Sequence, residues 1–282
     1  MFKSGLSFIL THIDVEGDLP LEIIPGYFFR KAKDNEIKSI KEYLNEYPTY
    51  PLKNFGIPYE AIIKEVRNEG STSYQREALP PDKWKYWVLA FEGSNSLIRD
   101  LQYAAILLPH DLDFAFEIFF KESHQQGEPF AYSFIPLHLR DKYSSFDEVN
   151  SNAAKVKVDE LIKIKEYYNL RQNLSSNFIF VDHAIKNFFS LRNIPEKSEL
   201  LTIGYFSIIE ALITHKPRLT ETLDSISHQL RNKIILLMKR FSRTIQYNKF
   251  FLNAKEDKIW RTLYNYRSCL AHGSIPNFEA EF

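Results

Sequence analysis

The sequence predicts an α+β protein in which a mixed α/β N-terminal domain, residues 1–150, precedes an all-α helical bundle, residues 151–282. Three observations predict it. Short runs rich in β-branched and aromatic residues dominate the first half, whereas three- and four-residue apolar periods dominate the second. The charge also changes sign, with 16 Lys and Arg against 23 Asp and Glu in residues 1–150, and 20 against 13 in residues 151–282. A basic half attracts phosphate backbones, and two halves of opposite sign also attract one another.

The chain opens with Leu6 to Val15, a β-rich run read as one strand that ends at Glu16-Gly17-Asp18. A second extended stretch covers Leu21 to Phe29. Asp34 or Asn35 then caps a helix with the apolar stripe Ile37, Ile40, Leu44 and Tyr47, stopped by Pro48. Further strands are expected at Tyr86–Phe91, Phe114–Phe120 and Phe130–Ile135, while Leu97–Leu108 fits either a helix or a strand. Ser144 to Asn152 is a polar connector.

Five helices are expected beyond it. Val156–Arg171 is amphipathic, and Phe178, Val181, Ile185 and Phe188 mark the buried face of a second helix. Leu200–Ile213 is apolar on almost every side and is read as the central one. A fourth starts near Thr222 or Asp224 and continues through Ile226, Leu230, Ile234, Leu237 and Phe241. The fifth starts near Asn253 or Lys255 and ends at His272-Gly273, where glycine suits the position just past a helix. Short connections make this an antiparallel bundle.

Several function classes lack support. No apolar run has the roughly 18–20 residues of a membrane span, and the N-terminus lacks a signal-peptide layout, so a cytoplasmic protein is expected. Nine glycines include no dinucleotide-binding or P-loop fingerprint, the single cysteine, Cys269, leaves no thiolate metal cluster, and no two of the eight histidines share metal-ligand spacing. No cofactor and no metal are expected. Trp84 and Trp87 beside Lys83 and Lys85 could stack bases, but their alternation fits a half-buried strand better.

What remains is Arg267-Ser-Cys-Leu-Ala-His272, an R-x-x-x-x-H spacing at the end of the last helix. By itself such a pair is commonly a macrodipole partner and a cap. Here it stands in Tyr264-Asn-Tyr-Arg-Ser-Cys-Leu-Ala-His-Gly273, preceded by Phe206-Ser-Ile-Ile-Glu-Ala-Leu212 and by the run from His228 to Leu237. Over residues 155–275 this order resembles the HEPN superfamily, specifically its Apea-like branch. The chain departs from many active HEPN nucleases in one place: Ser268 follows the arginine, where they carry Asn, Asp or His.

The resemblance implies an all-helical HEPN domain that works as a homodimer, with Arg267 and His272 of both copies lining a cleft. It implies a metal-independent endoribonuclease acting on RNA, in phage defence or toxin-like growth arrest, with the N-terminal domain sensing a trigger or restraining the nuclease. The chemistry of the two residue types agrees. The RNA 2′-hydroxyl attacks the adjacent phosphate to leave a 2′,3′-cyclic phosphate and a 5′-hydroxyl, which requires a proton acceptor near neutrality and a fixed cation for the phosphorane. Histidine suits the first role and the guanidinium fork the second.

Glu210, inside a nearly all-apolar helix, needs a buried partner, and Arg267 is the candidate. Asn265 and Ser268, with Tyr266, are candidate cleft residues; Cys269 is expected to be a small buried hydrophobe and His215 a helix cap. An alternative function is a non-catalytic HEPN module that binds RNA or a partner protein; a scaffolding or toxin-neutralising role is a further class.

Overall fold

The computed structural model describes residues 4–46, 57–68, 71–110, 112–120, 129–132, 153–195, 197–216, 225–242, 244–251 and 254–274. The chain divides into two compact units, Met1–Asn173 and Leu174–Phe282.

In the first unit the strands are β1 (Ser4–Ile9), β2 (Ile13–Glu16), β3 (Leu21–Ile24) and β4 (Tyr27–Lys31), followed by α1 (Asp34–Glu46). A helical turn, Ile57–Glu60, leads into the hairpin β5 (Ala61–Asn68) and β6 (Ser71–Ala78). Then come β7 (Trp87–Glu92), α2 (Ile98–Ala105), β8 (Phe114–Phe120), β9 (Pro129–Tyr132), β10 (Ala154–Lys157) and α3 (Val158–Gln172). Six strands form one sheet in the order β3-β4-β7-β1-β8-β9, with antiparallel neighbours throughout.

Alternation along β7 shows why this sheet needs cover on both sides. Trp87, Leu89 and Phe91 join a core with Ile98, Leu101 and Ala104 of α2 and Leu161 and Ile164 of α3, whereas Val88 joins Leu6, Phe8, Phe116, Ile37 and Ile40 on the opposite face. Trp87 is 2% exposed, stacks on Phe29 at 5.7 Å and donates its indole N–H to Ile13 O, so it is a core residue and not a base-stacking surface. Trp84, half-buried, donates to Leu79 O.

The structure of this unit departs from or completes the sequence reading in four places. The single strand over Leu6–Val15 is two strands, β1 and β2, because Leu10–His12 break the ladder. Leu97–Leu108, open in sequence, holds a helix whose buried side is Ile98, Leu101, Ala104 and Ala105. The β5–β6 hairpin has no counterpart in the sequence reading. The division falls after Asn173 and not near 150: β10 pairs parallel with β2, and α3 places Leu161 and Ile164 in the sheet's core. Arg171, near the end of α3, bonds Asp100 and lies over the Tyr103 ring at 4.8 Å. Recounted on these units, the charge asymmetry persists, with 21 Lys and Arg against 26 Asp and Glu in the first and 15 against 10 in the second. Tyr47, Pro48, the Ser144–Asn152 connector and 133–135 of the last expected strand lie outside the described residues, as does the side chain of Leu44.

The second unit, among its described residues, is helical: α4 (Ile179–Leu191), α5 (Leu200–Ile213), α6 (Ile226–Phe241) and α7 (Glu256–Ala271), with short turns at Ser176–Phe178 and Asn248–Phe251. Gly204 of α5 sits against Leu191 of α4, where a Cβ would lie 2.4 Å from a leucine methyl, so its missing side chain lets these helices approach closely. The expected fourth helix begins at its described N-cap, Ser225, whose Oγ accepts from His228 N–H; Thr222, Asp224 and Asn253 lie outside the described residues. Among the described residues no helix is long and apolar enough to cross a membrane.

Two burial expectations fail here. Phe178 is 54% exposed, and α4 buries Ala184 and Phe189 in place of the stripe read from the sequence. The largely apolar α5 touches α4, α6 and α7, yet of its side chains only Phe206 is buried, and Leu200, Tyr205 and Leu212 are exposed. Three neighbours do not cover a helix that is apolar on almost every side.

A buried carboxylate ties α1 to the sheet. Glu36 is wholly buried, takes two hydrogen bonds from the Arg30 guanidinium of β4 at 2.7 and 2.8 Å, and accepts from Lys33 N–H at the start of the helix. Removing it strands a largely buried cation. Glu36→Ala is expected to lower the unfolding free energy by about 3–5 kcal/mol, read from urea denaturation.

Candidate functional site

The last helix ends as its sequence demands. Its C-cap is His272, Gly273 adopts φ +72°, Ser274 N–H bonds Cys269 O at 2.9 Å, and Gly273 N–H bonds Leu270 O at 3.2 Å, which is a Schellman closure. A left-handed residue is needed directly after His272, and glycine takes that conformation without a Cβ clash. His272 is thereby held at the tip of α7 with its side chain exposed.

Arg267 lies on the inner side of the same helix. Its Nη2 is 3.2 Å from Glu210 Oε2 of α5, with side-chain exposures of 23% and 17%, so the ion pair expected from the sequence is present. The contact is single where arginine and carboxylate often pair by two parallel bonds. Arg267 Nε and Glu210 Oε1 are buried and lack hydrogen-bond partners among the described residues. Beside them Phe206 meets Trp260 and Tyr264 edge-on, and the Arg267 guanidinium carbon sits 6.0 Å from the Tyr264 ring centroid. Tyr266 is tied to α5 as well: burial, then the adjacent Glu199 carboxylate, push its hydroxyl pKa up, keeping it a neutral donor.

The five candidate residues do not form one constellation within a chain. At about 100° per residue, His272, Asn265 and Ser268 lie roughly 140°, 160° and 100° around α7 from Arg267. Asn265 and His272 are exposed and Ser268 is half-buried, so these three share the outer face while Arg267 and Glu210 meet inside. Cys269 is half-buried, less enclosed than expected. His215 sits just past the end of α5, where the Gln229 side chain clamps its backbone, accepting from His215 N–H and donating to His215 O.

A second polar feature was not singled out in sequence. Ser225, Ser227, His228 and Arg231 at the start of α6, with Arg261 of α7, line a cleft of about 190 Å³. Arg231 Nη2 lies 3.0 Å from His228 Nδ1; a guanidinium only donates, so Nδ1 accepts and the ring proton resides on Nε2. The spacing of His228 and Arg231 by three residues was legible, but the arrival of Arg261 from another helix was not. Among the described residues no three His, Cys, Asp or Glu side chains gather as a metal site would require.

The Glu210–Arg267 contact is a charged hydrogen bond in a partly buried site, so Glu210→Gln is expected to cost about 1.5–3 kcal/mol of stability, measured by urea denaturation followed through Trp260 fluorescence.

Searches against protein-family models, curated proteins and solved structures returned no match for this chain.

Proposed function

We propose that the second unit is a HEPN-type, metal-independent endoribonuclease module acting on RNA, working as a cytoplasmic homodimer in phage defence or toxin-like growth arrest. One observation carries the reading: an arginine whose orientation is set by a partly buried glutamate stands one and a half turns before an exposed histidine at a glycine-closed helix end.

In the proposed reaction His272 accepts the 2′-hydroxyl proton and the Arg267 guanidinium neutralises the charge that builds on the phosphorane. Glu210 is a positioning residue that acts through Arg267. The two groups diverge around α7, so two copies of the helix supply a complete set, His272 of one facing Arg267 of the other. The exposed apolar side chains of α5, Leu200 at 61% and Leu212 at 40%, with Leu236 of α6 at 66%, favour a second copy as cover. The positive balance of this unit suits a phosphate backbone. DNA binds but is not cut, lacking the 2′-hydroxyl. In this reading the first unit senses a trigger or restrains the nuclease.

Ser268 favours the second reading, a non-catalytic module that binds RNA or a partner protein, because it stands where many active relatives of this type carry a side chain able to assist the chemistry.

The deciding measurement is cleavage of total RNA and a tRNA pool in EDTA, with end-group analysis. Wild type is expected to leave cyclic phosphate ends, and Arg267→Ala and His272→Ala to lose about 10²- to 10⁴-fold in rate. Intact RNA under every condition establishes the binding module instead. For the assembly, light scattering is expected to give a dimer for wild type and a monomer for Leu212→Glu; a wild-type monomer that still cleaves removes the two-copy site.

A further inference from the structure

We propose that the cleft between α6 and α7 is a phosphodiester-binding subsite that holds the backbone of single-stranded RNA several nucleotides away from His272. The lining argues for an anion. Two arginines, Arg231 and Arg261, come from different helices to line the cleft with His228, Ser225 and Ser227. Planar guanidinium forks match phosphate oxygens, and hydroxyls supply further donors. With Nδ1 engaged by Arg231, His228 keeps its Nε2–H to donate. Ser225 Oγ already accepts from His228 N–H, so its own hydroxyl proton is available. At about 190 Å³ the cleft is smaller than the roughly 300–1,000 Å³ of a typical small-molecule pocket, which suits one phosphate group of a longer chain.

The outer face of α7 connects this cleft to the candidate site. Arg261, Asn265, Ser268 and His272 recur at steps of four, three and four, placing them within about 60° of one another around the helix. Arg261 and His272 are eleven residues apart, about 16 Å along the axis. A strand anchored at Arg261 therefore runs over Asn265 and Ser268 and delivers a later phosphate to His272, a track sequence spacing alone had assigned no start.

The RNA identity of the strand rests on the ribonuclease reading; the phosphate chemistry of the cleft does not. The test separates the two by measuring binding without cleavage. A fluorescent 2′-O-methyl oligouridylate, which has no 2′-hydroxyl to react, is titrated by anisotropy into the full chain across a salt series. Arg261→Gln, an exposed position, is expected to weaken binding about tenfold and to lower the slope of log affinity against log salt by about 0.7. Arg261→Lys is expected to retain the slope, and Lys239→Gln, at the far end of α6, to change the affinity less than twofold. Equal losses in Lys239→Gln and Arg261→Gln, or none in Arg261→Gln, overturn the subsite. Binding of inorganic phosphate, followed by histidine NMR shifts, with no binding of the oligomer overturns the RNA assignment. Loss of oligomer affinity in Arg261→Gln alongside a wild type that never cleaves RNA upholds the subsite and removes the nuclease reading.

Discussion

The ion pair between Glu210 and Arg267 is the constraint on which the candidate site depends. A carboxylate partly buried in a largely apolar helix needs a partner to offset its lost hydration, and α7 supplies a guanidinium at 3.2 Å. Meeting that need fixes the rotation of α7 about its own axis against α5. Phe206, Trp260 and Tyr264 then pack edge-on beside the pair, and Tyr266 reaches the Glu199 carboxylate at the start of α5. The single hydrogen bond leaves Arg267 Nε and Glu210 Oε1 without partners among the described residues, so the pair is held in place without its hydrogen-bonding capacity being used up.

That rotation gives α7 two chemically different sides. Arg267 and Tyr266 engage α5, and Ile259 and Thr262 are buried, while Arg261, Asn265, Ser268 and His272 line up on the outside. A spacing of five residues cannot place two side chains on one face of a helix whose period is 3.6. In the proposed ribonuclease the arginine and histidine of the motif therefore come from two copies of the helix. The largely apolar α5 is left incompletely covered by its neighbours, and the proposed dimer would cover it. A polar track that begins at the basic cleft of α6 and ends at the exposed His272 belongs to the same outer face.

The first unit follows a different logic. Its sheet is apolar on both faces, so it needs helices on both: α1 on one side, α2 and α3 on the other. The requirement explains why α3, charged and amphipathic in sequence, belongs to the sheet and not to the bundle. Its buried stripe is only Leu161 and Ile164, with half-buried Tyr167 and Tyr168 beside them, and a stripe that narrow caps a sheet edge well. The parallel pairing of β10 with β2, which sets Val156 beside Val15, is beyond the reach of any local pattern.

Local physics determined much of this protein. The strand at Trp87–Glu92 and that at Phe114–Phe120 followed from alternation, the α5 and α7 spans from apolar runs and the closing Gly273, and the Glu210–Arg267 pair from the cost of a lone buried charge. Tertiary structure decided the rest, because each such feature joins residues far apart in the chain. The open α2 segment became a helix because the sheet offered a face to cover, and the unit boundary moved to Asn173 because α3 had a core to complete. Likewise Arg261 met His228 and Arg231 only once α6 and α7 had packed. Periodicity states which side of an element is apolar; what that side meets is settled by the whole chain, since burial is shared among elements and not a property of any one.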